Sequence, residues 1–258
     1  MASQTTHASD DINKSEKPCA VILAGGLGTR LRSAIPDLPK CMAPVAGKPF
    51  LFYVIKYLQQ QGVEHFIFSL GYMHEIISQW LSKNYPNLQY SLSIENEPLG
   101  TGGAVRLALQ KATSRQVLIV NGDTLFTADI QKLVQFHHMN EAACTLALKP
   151  MKDFSRYGVV EISGKGQILS FKEKSFYSYG LINGGVYMLD VKRFLQLDLP
   201  QKCSFEKDYL EKYYQTEKMR ALEQDEYFID IGIPEDFEKA GRDFGKASIW
   251  KFDDLKMG

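Results

Sequence analysis

The 258-residue chain has no excess of either charge: thirty Lys and Arg stand against thirty Asp and Glu, and its aromatic residues do not alternate with a basic stripe. This argues against a nucleic-acid partner, because backbone recognition needs a clustered positive surface. Cysteines are few, four at positions 19, 41, 144 and 203, with no CxxC pair and no Cys/His ligand spacing. Neither a disulfide framework nor a zinc site is expected, which leaves free thiols in a reducing compartment. Long hydrophobic runs are also missing. Each apolar segment is broken within about ten residues by a charge, Gly or Pro, well short of the ~20 that a membrane helix needs. Residues 1–17, MASQTTHASDDINKSEK, are polar and hold no apolar core of the length a secretory signal requires. A disordered tail, a cytoplasmic location and a small-molecule partner without membrane are the expectations.

With 45% apolar residues the chain is long enough for one well-buried α/β domain. Short β-branched runs at 19–24, 65–70, 90–94, 116–121 and 144–148 read as strands, and amphipathic stretches at 50–61, 73–83, 102–112 and 128–139 read as helices. The alternation predicts a doubly wound, mainly parallel sheet of Rossmann-like type. After Pro150 the texture changes to hairpins, YGVVEI, ILSFKE and LINGGVYML, which predict a small antiparallel β layer at one end of the sheet. YFIDIG at 227–232 reads as a returning strand, and Pro234-Glu235-Asp236 suits the first turn of a closing helix. One domain over 18–258 is expected, with parts at 18–150, 151–230 and 231–258.

LAGGLGTRL, residues 23–31, follows the first strand, where an open α/β sheet holds its ligands. A dinucleotide loop is disfavoured, since Gly26 and Gly28 are followed by Leu31 where the third glycine belongs. No GxxxxGK string followed by Ser or Thr occurs, so the Walker loop is absent too. A glycine turn without ligand stays open at this point. Arg30 moves the balance, because its planar fork suits a polyphosphate, and DLPKCMAPVAGKPF then presents Lys40 between Pro39 and Pro44.

Here the chain resembles the sugar-1-phosphate nucleotidyltransferases, whose signature is a GGxGTRL loop, a gap, and a PK dipeptide before an apolar-Pro-apolar segment. The resemblance covers residues 19–240 and implies a glycosyltransferase-A-like nucleotidyltransferase fold, with a nucleotide-binding part over 18–150 and a sugar-binding part over 151–230. It implies nucleotide contacts from Leu23, Ala24, Gly25, Gly26, Gly28, Thr29, Arg30, Lys40, Gly100, Thr101, Gly122 and Asp123. Asp123 of NGD and Asp230 of FIDIG would each, alone, read as a turn or helix cap. Together they match the family's two metal aspartates, and Mg2+ is the implied cofactor.

IENEPLGTGGAV resembles the family's nucleobase loop and places Glu95 at the reading position, with Glu97 as a substitute should the register slip. A carboxylate only accepts hydrogen bonds, and guanine offers N1–H and the exocyclic amine side by side, so Glu95 favours GTP over UTP or dTTP. In SFKEKSFYSYGLINGGVYML the resemblance puts Glu173 on sugar hydroxyls, Lys174 on the sugar phosphate, and Asn183, Gly184 and Gly158 along the sugar. Without it, KEK reads as a solvated strand edge.

MKDFSRYGVV, GLINGGVYML, SFEKDYL and YFIDIGIPEDF resemble the branch of D-glycero-α-D-manno-heptose 1-phosphate guanylyltransferases, which make a GDP-heptose for bacterial surface polysaccharide. Other relatives more often have Asn-Ala-Gly where this chain has Asn183-Gly184-Gly185, and the missing methyl is expected to make room for a longer sugar. Cys41 departs from the Pro common after the lysine. The implied catalytic set is Arg30, Lys40, Asp123, Lys174 and Asp230, with GTP and a sugar 1-phosphate as partners and a homodimer allowed. No step requires a nucleophile or general base, which leaves His7, His65, His74, His137 and His138 to surface or structural roles. Competing readings are transfer to a hexose 1-phosphate such as mannose 1-phosphate, a non-catalytic sugar-nucleotide-binding module, and an NAD-dependent oxidoreductase.

Overall fold

A computed structural model describes residues 19–26 and 37–245. Strand β1 (Cys19–Leu23) shows why a central strand here is apolar throughout. Ala20 and Ile22 enter one core with Phe66, Phe68, Leu118 and Val120, while Cys19 and Val21 enter a second with Ile67, Val117 and Ile119. A strand covered on both faces has no polar face, so its period of two decides which core a side chain joins.

A ribbon of β2 (Pro44–Val45) and β3 (Lys48–Pro49) leads into α1 (Phe50–Gln60). That helix stops at Gly62, whose φ of 86° suits glycine; its N–H donates to the Gln59 carbonyl, and the Val63 N–H donates to the Leu58 carbonyl. β4 (His65–Leu70), α2 (His74–Asn84), β5 (Gln89–Ile94), α3 (Gly100–Leu109) and β6 (Gln116–Asn121) follow, close to the expected boundaries. β6, β1, β4 and β5 lie side by side and parallel.

Next come β7 (Thr124–Phe126) and α4 (Ile130–Met139), the latter capped by the Asp129 carboxylate, which accepts from the Lys132 N–H at 3.0 Å. β8 (Cys144–Phe154), β9 (Val159–Ile162), β10 (Ile168–Lys172) and β11 (Tyr177–Asp190) are the hairpin strands. β11 pairs antiparallel with β6, β8 and β9, so these strands bring the main sheet to eight of its nine strands. The chain continues through α5 (Val191–Leu195), a π-helical turn at Phe205–Leu210 running into α6 (Glu211–Tyr213), and β12 (Met219–Glu223), which pairs parallel with β8. β13 (Phe228–Asp230) forms a small antiparallel sheet with β7, and α7 (Pro234–Phe244) opens on Pro234 with Glu235 and Asp236 in its first turn. No helix among the described residues is long and apolar enough to cross a membrane.

Candidate active site

β1, β4, β5 and β6 run parallel, so the segments leaving their carboxyl ends share one edge of the sheet. A cavity of about 670 Å³ occupies that edge, and Leu23, Ala24, Gly25, Gly26, Lys40, Glu95, Gly100, Thr101 and Asp123 are in its wall. A second cavity, of about 460 Å³, is walled by Gly158, Glu173, Lys174, Asn183, Gly184 and Asp230 among others. Lys40, Asn121, Asp123 and Glu206 border both, so the two spaces meet. Gly28, Thr29 and Arg30 lie outside the described residues. Gly122 borders neither cavity. Its N–H donates to the Leu23 carbonyl at 2.9 Å, and a Cβ there would stand 2.8 Å from that oxygen, so this glycine serves the close approach of two strand ends.

The two acids are brought together by the short ribbon. Asp230 lies opposite Thr124 in the pairing of β13 with β7, and the Ile231 N–H donates to the Asp123 carbonyl at 3.1 Å. Between the carboxylates sits the Lys40 ammonium, 2.6 Å from Asp123 Oδ2 and 3.3 Å from Asp230 Oδ1. Lys40 opens a short 3₁₀ turn, Lys40–Met42, anchored by buried Cys41 and Met42. The buried Cys41 side chain thus fixes the turn that presents Lys40. Burial first, then the nearby Asp123 charge, pushes its thiol up to about 12, so it stays neutral.

The acids are not equivalent. Asp230 also receives the Gly232 N–H at 2.8 Å on Oδ1 and the Tyr157 hydroxyl at 3.4 Å on Oδ2, and Arg156 Nη2 lies 3.7 Å from Oδ2. Arg156 pairs as well with Asp236 in the first turn of α7. Burial and the Asp230 charge push the Tyr157 phenol up, which keeps it a donor. Asp123 has Lys40 and, at 3.3 Å, its neighbour Thr124. Two carboxylates around one cation position suit a hard divalent ion. Among the described residues no group of three or more His, Cys, Asp or Glu gathers to hold a metal, so phosphate and water would have to complete its shell.

Glu95 Oε2 accepts from the Leu99 N–H at 2.8 Å and so closes its own loop. Burial raises its carboxyl above the ordinary range, opposed by that bond. Oε1 stands beside Gly25, where a Cβ would be 3.2 Å from it and 2.9 Å from the Gly71 nitrogen. Glu97 borders the same cavity. The glycines that follow admit a neighbouring segment. Gly100, at φ 71°, would place a Cβ 2.5 Å from the Cys203 carbonyl oxygen, and one on Gly102 would meet Cys203 Sγ at 2.7 Å. The close-packed segment delivers Glu206, whose Oε2 accepts from Thr101 Oγ1 at 2.8 Å and Ser204 Oγ at 3.0 Å. Sequence reasoning assigned no role to Glu206, Asn121, Arg156 or Tyr157; their signals were the SFEKDYL, NGD and RYG strings in which they sit.

On the second cavity's wall, Asn183 Nδ2 donates to the Tyr187 hydroxyl at 2.8 Å and its Oδ1 accepts from the Gly185 N–H at 3.1 Å. These bonds staple a bulge where β11 shifts register against β8. Gly184 corrects one expectation. A Cβ there would point at the Phe126 ring, 2.6 Å from Cε1, and lie 3.0 Å from the Ala147 carbonyl oxygen. The missing methyl makes room for Phe126, not for a sugar. Gly158 is likewise a close-approach glycine, since its Cβ would collide with the Lys172 carbonyl oxygen. Glu173 and Lys174 are exposed between β10 and β11. His137 is buried with Nδ1 2.9 Å from Thr145 Oγ1, His74 borders the first cavity, and His7 lies outside the described residues.

A family model described as Nucleotidyl transferase matches residues 19–246. The chain is 49% identical over 224 residues, 87% of its length and 97% of the relative's, to the D-glycero-alpha-D-manno-heptose 1-phosphate guanylyltransferase of Aneurinibacillus thermoaerophilus. It is 45% identical over 218 residues, 84% of its length and 96% of the relative's, to the protein of the same name from Campylobacter jejuni. The crystal structure of HddC from Yersinia pseudotuberculosis superposes with a TM-score of 0.81 at 39% identity, over 88% of this chain and 99% of that one. The same protein complexed with GMP-PN superposes with a TM-score of 0.80.

Proposed function

Because the chain belongs to the nucleotidyl transferase family, we propose that it transfers GMP from GTP to D-glycero-α-D-manno-heptose 1-phosphate, giving GDP-heptose and pyrophosphate. The observation that carries this reading is the meeting of two cavities at Lys40 and Asp123, with Asp230 against the same ammonium. Nucleotide in the first and sugar phosphate in the second bring the acceptor oxygen to the α-phosphorus at the junction. The names of the two relatives and the GMP-PN complex of HddC support the choice of base and sugar.

In this reading Glu95 accepts from the guanine edge, while Gly25 and Gly26 let the backbone approach the phosphates. Arg30, with Gly28 and Thr29, faces the leaving phosphates, Lys40 the transferred phosphoryl and Lys174 the acceptor phosphate. Glu173 accepts from sugar hydroxyls. An acceptor oxygen forms its bond to the α-phosphorus as the bond to the bridging oxygen breaks, and the electron pair leaves with pyrophosphate. The acceptor phosphate has a second pKa of about 6 and is largely ionised at neutral pH, so no side chain need take its proton. Mg2+, which the donor set of Asp123 and Asp230 fits, would supply positive charge to the triphosphate and departing pyrophosphate. The reaction belongs in the cytoplasm, upstream of a surface polysaccharide.

Pyrophosphate release, measured for four nucleoside triphosphates crossed with heptose, mannose and glucose 1-phosphates, tests the reading. GTP with the heptose phosphate is expected to have the highest kcat/KM. Preference for mannose 1-phosphate would replace the sugar, and tight binding without release for any pair would replace the enzyme by a binding module.

A further inference from the structure

The Lys40 ammonium touches an oxygen of each acid, and its side chain is 12% exposed, so the pairing is a built feature of the site. Two carboxylates so close repel, and one ammonium between them removes most of that cost. We propose that Lys40 is a positioning residue that stands in for the divalent cation, holding Asp123 and Asp230 together until nucleotide draws it away. The inference rests on the reading of those acids as the metal pair.

The oxygens facing Nζ are the ones a cation would take, so ammonium and metal exclude each other. Lys40 borders the first cavity, so a triphosphate there offers its ammonium a more highly charged partner. When Lys40 leaves, Asp230 keeps the Gly232 N–H, the Tyr157 hydroxyl and Arg156, whereas among the described residues Asp123 keeps the Thr124 hydroxyl alone. Departure thus creates a deficit of positive charge centred on Asp123. Metal binding is weak in the free protein and strong with nucleotide, and by linkage nucleotide binding is strengthened by metal to the same degree.

Mn2+ titration of the full chain by electron paramagnetic resonance, with and without a non-hydrolysable GTP analogue, reads this coupling directly. Without analogue, Lys40→Met is expected to bind Mn2+ about tenfold or more tightly than wild type, the equivalent of one charge-assisted hydrogen bond. The gain in Mn2+ affinity on adding analogue shrinks correspondingly. Lys207→Met removes the same charge from the second cavity, where it pairs with neither acid, and is expected to change affinity less than about threefold. Equal tightening in both variants overturns the proposal in favour of bulk charge. Unchanged affinity in Lys40→Met, with metal still taken up beside the analogue, overturns it while leaving the metal pair standing. Absence of Mn2+ binding in every form removes both. Should Lys40→Met fail to fold, Lys40→Gln and the wild-type lysine ammonium resonance serve instead: a slowly exchanging signal that shifts on adding Mg2+ with analogue supports the exchange, and one that does not shift overturns it.

Discussion

Gly184→Ala separates two uses of a missing methyl. The new Cβ would stand 2.6 Å from Phe126 Cε1 and 3.0 Å from the Ala147 carbonyl oxygen. Carbon atoms settle at ~3.5–4.0 Å, so the ring must retreat by about 1 Å. It has little room: Phe126 is 1% exposed and its ring meets that of Phe228 edge-on at 5.9 Å. Overpacking of this kind costs about 1–3 kcal/mol, which in a domain of this size lowers Tm by about 2–10 °C. Phe126→Leu also destabilises alone, by leaving a void, but the double variant is expected to recover at least half of the alanine's cost. A denaturant-melt cycle over the four proteins gives that coupling, and sugar-phosphate KM for Gly184→Ala is expected to stay within about twofold of wild type. Unchanged Tm together with a raised KM would refute the reasoning, because the methyl would then lie in the sugar's space.

Asp123→Asn and Asp230→Asn are each expected to lower kcat on the order of 10²-fold or more with the fold retained by circular dichroism; near-normal turnover at saturating Mg2+ would remove the two-acid site. Of the pair, Asp230→Asn should lower Tm further, since Gly232, Tyr157 and Arg156 all answer its charge. Glu95→Gln keeps an acceptor for the Leu99 N–H but loses acceptor-only character, so kcat/KM for GTP is expected to fall by about 1–3 kcal/mol while its advantage over UTP narrows. An unchanged GTP/UTP ratio would mean that Glu95 only closes its loop. His137 is depressed to about 4, by burial first and the His138 charge second, with Asp190 opposing and Arg193 adding. The unfolded chain takes up that proton near pH 6.5, so stability is complete above this value and falls toward pH 4, by up to about 3 kcal/mol. His137→Gln should flatten the slope of Tm between pH 6.5 and 4; an identical slope would assign it to other groups.

The parallel half of the fold was legible because its strands and helices have strong, unmixed periods. Residues 19–23 are apolar throughout, and α1 and α4 carry apolar positions at helical spacing. Asp123 and Asp230 were legible as a pair only through two motifs, since nothing in their spacing says that β13 lies on β7. The function of Lys40 as partner to both acids was invisible, because it depends on where three remote segments dock. Gly184 misled for a related reason: glycine reports that a Cβ has no room, and only the neighbours show whether a ligand or Phe126 takes the space. The π-helical turn at Phe205–Leu210 has no periodicity of its own to announce it, and Glu206 was lost with it.

Placing one of the two acids on the β7/β13 ribbon makes the proposed catalysis depend on the order of assembly during synthesis. Lys40 and Asp230 are separated by 190 positions, and β13 is synthesised only after β8 through β12. Local βα units form early and remote pairings late. A chain still missing Phe228–Asp230 can therefore gather β1, β4, β5 and β6, with the Glu95 loop in place, yet present Lys40 to Asp123 alone. On the proposed roles, nascent or truncated chains could meet nucleotide through the Glu95 loop but would lack the second acid, losing turnover and the part of nucleotide affinity that metal supplies until synthesis and folding reach the last ribbon.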